Sequence, residues 1–211
     1  MKEKSWLNFS AWFVFVAVVV NLLSHLYIWH GYWWEIFWYC DAAALVLSIG
    51  IWLRKSSWVT VVLTSAIPLQ FLWILDFFLE LSGHGIGRTA WLFAESKGVW
   101  ISGLSTLLHG ILIPTSLLAV YKMGFHKKAL IYNFFTGILL LGSTYFFTAP
   151  RENINCVFFP CDIDYSLAYL QATDLHYFTL FFVIKQFIIS IFTIAIVYVI
   201  LLFWFRKRLV G

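Results

Sequence analysis

The apolar residues of this chain fall in six long blocks that are separated by more polar stretches of unequal length. The blocks cover residues 8–28, 34–53, 58–81, 98–121, 128–149 and 176–204. Each block is long enough for the roughly 20 helical residues that cross a bilayer. In lipid, a spanning segment must satisfy its backbone hydrogen bonds internally, which favours helices. The pattern predicts an all-α polytopic integral membrane protein, with residues 1–211 forming a single transmembrane domain of six helices.

The composition supports this prediction. Hydrophobic residues make up 62% of the chain and charged residues 11%, whereas soluble domains average about 25% charged residues. Aromatic residues mark several block ends, as in Tyr32-Trp33-Trp34, Trp58 and Trp204, which is typical of the headgroup region. The first block is not followed by a small-residue cleavage site, so we expect a retained helix and not a signal peptide.

The basic residues are distributed unevenly between the two sides of the predicted bundle. One set of connections and termini carries ten of them: Lys2, Lys4, Arg54, Lys55, Lys122, Lys127, Lys128, Arg206, Lys207 and Arg208. The opposite set carries three, Arg88, Lys97 and Arg151. The positive-inside rule then predicts that both termini are cytoplasmic. The topology suits a bacterial inner membrane or an endoplasmic reticulum, and we expect the former. The net charge of +4 follows from this topology, so we expect no nucleic-acid partner.

The two long outer loops, 82–97 and 150–175, contain two of the three cysteines. Four residues separate Cys156 from Cys161, and in an oxidising compartment the two could form a disulfide. A short helix is predicted near DYSLAYLQ in the same loop. Cys40 lies inside the second span and is left without a partner of this kind.

Ionisable residues within or at the ends of the spans concentrate in the outer half of the membrane or at its midplane. They are His25, Cys40, Asp41, Asp76, His109, His176 and Lys185. Such residues face the protein interior or water and point to a functional site. We therefore predict a polar pocket that opens outward or sideways into the outer leaflet, with His25, Ser105, His176 and Lys185 among its lining residues.

The fourth span carries the densest polar pattern. Ser102, Ser105, Thr106, His109 and Ser116 recur at helical spacing, which predicts a stripe that faces neighbouring helices. Pro114 cannot donate a hydrogen bond to the carbonyl of Gly110, which frees an acceptor near His109. Gly110 itself would allow a close approach of another helix.

Three chemistries fit these residue types. In nucleophilic acyl transfer, Cys40 would attack, His109 would act as the base, and Asp41 or Asp76 would orient the imidazole. A zinc site for hydrolysis would use His25, Asp41, Asp76, His109 and His176, although no closely spaced ligand pair is present. A third possibility is proton or solute transport along Asp76, His109 and Lys185.

A structural alternative is that these polar groups only hold the bundle together. Asp41 or Asp76 would then pair with Lys185, and the serines would serve helix packing. Cys40 would be a small buried hydrophobe. The chain would be a lipid-binding protein or another non-enzymatic membrane protein.

Four segments resemble, in the same order, the androgen-induced family of six-helix membrane lipid hydrolases. HGILIPTSLLAVY resembles the family's fourth span, where a catalytic histidine precedes a proline by the same interval. FWYCDAAAL, TSAIPLQFLW and RENINCVFFPC resemble the nucleophile segment, a proline-containing third span and an asparagine-aromatic-proline loop. The resemblance covers residues 34–161. It extends to related bacterial membrane proteins and to the ether-phospholipid acyltransferase.

The resemblance implies a lipid-ester hydrolase or acyltransferase in which His109 is the base and Cys40 the nucleophile. The hydrolase branch would have threonine where this chain has Cys40, so the residue fits the acyltransferase branch better. Together with the residue pattern, this predicts a Cys–His enzyme without a cofactor, with a lipid substrate in the outer leaflet of the bilayer. The sequence predicts neither the substrate's identity nor the oligomeric state.

Overall fold

The computed structural model describes residues 2–28, 36–85, 89, 99–148, 155 and 175–211. Six α-helices account for most of these residues. They are α1 (Lys2–Ile28), α2 (Tyr39–Trp52), α3 (Ser56–Leu81), α4 (Val99–Met123), α5 (Ala129–Phe147) and α6 (Leu175–Trp204). A two-residue strand β1 (Phe125–His126) follows α4, and a 3-10 helix (Arg206–Arg208) and strand β2 (Leu209–Val210) follow α6. The all-α prediction is therefore confirmed.

Five of the described helices are long and apolar enough to cross a membrane. The qualifying segments are Ser5–Ser24, Ser56–Leu81, Gly103–Met123, Ala129–Phe147 and Val183–Trp204. Helix α2 is also apolar but has only 14 residues. At 1.5 Å per residue it is about 21 Å long, shorter than the roughly 30 Å hydrocarbon core. The predicted second span, 34–53, thus contains a helix that begins at Tyr39.

Helix α3 lies at the centre of the bundle and packs against α2, α4, α5 and α6, while α1 packs against α2 and α4. Fully buried side chains such as Val14, Leu47, Leu63 and Leu112 form one core between α1, α2, α3 and α4. The outer faces of α5 and α6 remain apolar and exposed. Leu139 and Phe192, for example, are 70% and 69% exposed. An apolar exterior of this kind suits contact with lipid.

Hydrogen bonds bring both ends of the chain and two connections to the same end of the bundle. Arg54, after α2, donates to Asn8 near the start of α1 at 2.7 Å. Thr60, near the start of α3, accepts from the backbone N–H of His126 at 3.1 Å. Strands β1 and β2 then join the α4–α5 connection to the C-terminal residues. We call this end, with its many lysines and arginines, the basic end.

The β1–β2 pairing requires a tight turn at Gly124. This glycine has φ +93°, and a Cβ there would lie 2.8 Å from Val210 and 3.0 Å from the carbonyl oxygen of Arg208. A positive φ at the end of α4 is the usual helix termination for glycine. Burial, and then the positive charge of Lys128, lower the pKa of His126 in β1. Its ring is therefore neutral at pH 7.

Several predicted features lie outside the described residues. These are the short helix near DYSLAYLQ, most of the two long loops, and the Cys156–Cys161 disulfide.

Candidate functional site

His109 is buried in the bundle and held in a defined orientation. Its Nδ1 lies 2.7 Å from the carbonyl oxygen of Ser105, one turn earlier in α4. Its ring stacks on Trp73 of α3, with the ring centroids 3.8 Å apart and the planes inclined by 12°. A carbonyl oxygen only accepts hydrogen bonds, so Nδ1 must carry the proton. In the neutral ring, Nε2 then holds the free lone pair.

The α4 stripe predicted from the sequence does face inward. Ser105, His109 and Ser116 are all buried, while the side chain of Ser102 lies outside the description. Gly110 and Pro114 lie on the opposite, exposed face of the helix. No atom of the described residues comes within 4 Å of a Cβ built at Gly110. The close helix approach expected at Gly110 is therefore not found in the described part of the chain.

Cys40 and Asp41 lie in the first turn of α2, and Asp41 contacts a side chain of α1. The Sγ of Cys40 lies 3.8 Å from Oδ2 of Asp41. Nδ2 of Asn21 donates to Oδ1 of the same carboxyl group at 3.0 Å. Asn21 and Asp41 are buried, and Cys40 is partly buried. This trio lies near the end of the bundle opposite the basic end.

Asp76 is fully buried near the same end, in the last part of α3. Its Oδ2 accepts hydrogen bonds from the backbone N–H of Thr89 at 2.7 Å and from the Thr89 hydroxyl at 3.0 Å. The carboxyl group thereby fixes one residue of the first long loop against α3. Thr89 was not singled out in the sequence because its contact with Asp76 depends on how that loop folds back.

Asn155, from the second long loop, holds the start of α2. Its Oδ1 accepts from the backbone N–H of Tyr39 at 2.8 Å, and its Nδ2 donates to the carbonyl of Phe37 at 2.6 Å. Nδ2 also lies 3.3 Å from the hydroxyl oxygen of Thr144 in α5. Trp38, at the N-cap position, makes no capping bond. Asn155 therefore caps α2 from a distant part of the chain.

The residue before Cys40 is anchored a second time through its side chain. The hydroxyl of Tyr39 donates to Oγ of Ser65 in α3 at 2.7 Å. Backbone and side chain of Tyr39 thus bind two different partners, and the position of the adjacent thiol is fixed relative to both α3 and the loop.

Two buried acceptors at the site have no hydrogen-bond partner among the described residues. They are Oδ1 of Asn21 and Oε1 of Gln70. Asn21 contacts Asp41 directly, and Gln70 lies one turn before Trp73 on α3. An unpaired buried acceptor is costly, so such a group calls for a donor such as water or a ligand hydroxyl.

The predicted catalytic residues divide between two local clusters. Cys40 and Asp41 lie together with Asn21, whereas His109 lies with Trp73 and Ser105. No hydrogen bond joins Cys40 to His109, two residues that the structure describes. Asp41 or Asp76 was expected to orient the imidazole, but the Nδ1 proton is donated to the carbonyl of Ser105. Trp73 was not predicted as a site residue, because nothing in the sequence distinguishes one aromatic residue of an apolar helix from another.

The predicted lining residues have different outcomes. Ser105 is buried beside His109. Lys185 is exposed on α6, and within the described part of the chain it pairs with neither Asp41 nor Asp76. The side chains of His25 and His176 lie outside the description. Among described residues, no three potential metal ligands lie together, and the zinc hypothesis stays a prediction.

Comparison of the chain with protein-family models, curated proteins and solved structures finds no match.

Proposed function

We propose that this protein is a membrane-embedded lipid-ester hydrolase or acyltransferase in which His109 is the general base and Cys40 the nucleophile. The observation that carries the proposal is the state of His109. Its Nδ1 proton is committed to the carbonyl of Ser105, so the basic nitrogen is Nε2. A buried imidazole held in one tautomer and orientation is what proton abstraction from a nucleophile needs.

Three further features support the proposal. Cys40 lies in the first turn of α2, and the two anchors of the adjacent Tyr39 hold its position. The polar groups concentrate away from the basic end, as an outer-leaflet substrate requires. The unpaired oxygens of Asn21 and Gln70 could accept hydrogen bonds from a lipid hydroxyl or from the hydrolytic water.

The proposed step transfers an acyl group to the thiol. Nε2 of His109 takes the proton of Cys40, the sulfur adds to the ester carbonyl, and the alcohol leaves with the proton that the imidazole returns. Water or an acceptor alcohol then releases the acyl group. Because no hydrogen bond joins Cys40 to His109, lipid binding has to bring the thiol and the imidazole together in this scheme. Catalytic hydrogen bonds often tighten only in the substrate complex.

We further propose that the protein lies in a bacterial inner membrane with both termini in the cytoplasm. The site would then open toward the outer leaflet. The positive-inside rule and the concentration of lysines and arginines at the basic end support this orientation.

The test is turnover of a panel of lipid esters by the purified full chain in lipid nanodiscs. His109→Gln and Cys40→Ala should each lower turnover by about 100-fold or more, the usual contribution of a general base or nucleophile. Ser116→Ala is the matched control, because this buried α4 hydroxyl bonds only to the carbonyl of Ile113, and it should keep full activity. Full turnover by both His109→Gln and Cys40→Ala would end the proposal.

A second candidate is a non-enzymatic membrane protein that binds a lipid or carries a small solute or protons. The observation that favours it is the pairing of buried polar groups with one another, as in Asn21 with Asp41, Tyr39 with Ser65, and Thr89 with Asp76. In that case His109→Gln would lower the melting temperature, and no lipid ester would be turned over by the wild-type protein. A stoichiometric bound metal by elemental analysis would instead favour a metal-dependent lipid hydrolase.

A further inference from the structure

A groove at the basic end combines three cations with exposed aromatic rings. It lies between the end of α4 and the C-terminal segment, has a volume of about 490 Å³, and is lined by Tyr121 and the run Phe203–Arg208. Phe203 and Trp204 are 70% and 78% exposed. Among the described residues, no carboxylate side chain lines it. We call the set Tyr121, Phe203, Trp204, Arg206, Lys207 and Arg208 the basic groove.

The cations of the basic groove sit on an ordered backbone. Arg206, Lys207 and Arg208 form the 3-10 helix, in which the backbone N–H of Arg208 donates to the carbonyl of Phe205 at 2.7 Å. The pairing of β2 with β1 fixes the residues that follow. Three charges held in this way do not have to be ordered when an anion binds, which favours binding.

Arg208 is further fixed by Tyr121 of α4. Its guanidinium lies 3.8 Å from the centre of the Tyr121 ring, and one N–H donates to the Tyr121 carbonyl at 2.5 Å. That carbonyl is among the last of α4, where a helix leaves its acceptors unpaired and favours a positive charge. A guanidinium has five N–H donors, so the remaining donors are available to a phosphate.

We propose that the basic groove binds the phosphate of an anionic membrane phospholipid, with the acyl chains along Phe203 and Trp204. Charge complementarity selects the anionic headgroup, because the described lining contains three cations and no carboxylate side chain. The exposed aromatic rings beside the cations select a lipid over a free anion, since they offer an apolar surface to the chains. Basic pockets at the end of membrane helices recognise such headgroups. The proposal is independent of the enzymatic function.

The test measures lipid binding to the purified, delipidated full chain by native mass spectrometry. Phosphatidylglycerol should bind more tightly than phosphatidylcholine. The double variant Arg206→Gln, Lys207→Gln should weaken phosphatidylglycerol binding by about 30-fold, because each basic residue near an anionic surface contributes about fivefold. Arg208 is kept because it also ties the C-terminal segment to α4.

Two control variants separate the groove from general charge and from misfolding. Lys127→Gln, Lys128→Gln removes two exposed charges from the same end outside the groove and should keep the lipid preference. Arg206→Lys, Lys207→Arg conserves the charge and should bind as the wild type does. An equal loss in the Lys127/Lys128 variant, or equal binding of the two lipids by the wild type, would overturn the proposal. Displacement of phosphatidylglycerol by millimolar inorganic phosphate would assign the groove to free phosphate and overturn it too.

Discussion

His109, Asp41 and Asp76 are buried at the candidate site, and the hydrogen-bond partner of each decides what its side chain can do. The Nδ1–H of His109 donates to the carbonyl of Ser105, and its ring stacks on Trp73. Only Nε2 is then available to accept a proton. Asp41 and Asp76 accept from Asn21 and Thr89, so both carboxyl groups are already engaged in holding the structure. The cost of burying these groups in an apolar bundle is thereby reduced.

Two asparagines of α1, Asn21 and Asn8, allow the contribution of a buried partner to be compared with that of an exposed one. Asn21→Ala removes a donor from the buried carboxyl of Asp41 and should lower the free energy of unfolding by about 2 kcal/mol, because a buried acceptor that loses its partner costs about that much. Asn8→Ala removes a bond to the exposed Arg54 and should cost about 0.5 kcal/mol or less. Thermal unfolding of the two variants in the same detergent makes the comparison, and equal losses would contradict a special role for the Asn21–Asp41 contact.

At the scale of the element, α2 depends on a residue far away in the chain. The helix starts directly before Cys40 without a capping side chain of its own, and Asn155 supplies the missing acceptor. Asn155 adopts a positive φ of 55°, a conformation that asparagine tolerates better than most residues. The second long loop thus controls the position of the thiol.

This dependence predicts the reactivity of Cys40. Asn155→Ala should let the first turn of α2 fray and speed alkylation of Cys40 by a membrane-permeant maleimide about fivefold, because the loss of an N-cap costs about 1 kcal/mol. Asn155→Asp keeps the acceptor oxygen and should react nearly as slowly as the wild type. Peptide mass spectrometry of the segment that contains Cys40 follows the reaction. A rate that is unchanged in Asn155→Ala would show that the cap does not control the thiol.

At the scale of the whole molecule, the bundle has two chemically different ends. The basic end joins the start of α1, the α2–α3 and α4–α5 connections and the C-terminal residues through hydrogen bonds. The opposite end contains the contacts of Asp41 with Cys40 and Asn21, and the contact of Asp76 with Thr89. In a membrane, the two ends would face opposite sides of the bilayer. The basic groove lies at one end and the proposed lipid-ester site toward the other.

The predicted orientation is tested by cysteine accessibility in intact cells. A membrane-impermeant maleimide should label Ser82→Cys, after α3, without permeabilisation. It should label Lys127→Cys, at the basic end, only after the membrane is opened. Both positions are exposed, so a difference reports the side of the membrane, and peptide mass spectrometry separates these sites from the native cysteines. Labelling in the reverse order would invert the orientation and move the basic groove to the outer leaflet.

The sequence by itself determined the all-α class, the approximate helices and the inward face of α4, because these follow from local composition and helical periodicity. Its second span was less well determined, since an apolar run does not show where a helix begins. Only the tertiary structure decided that Ser105 and not a carboxylate orients His109, that Asn21 holds Asp41, and that Asn155 caps α2. Such pairings depend on the rotation and depth of each helix relative to its neighbours and on how loops return to the bundle, which no local pattern encodes.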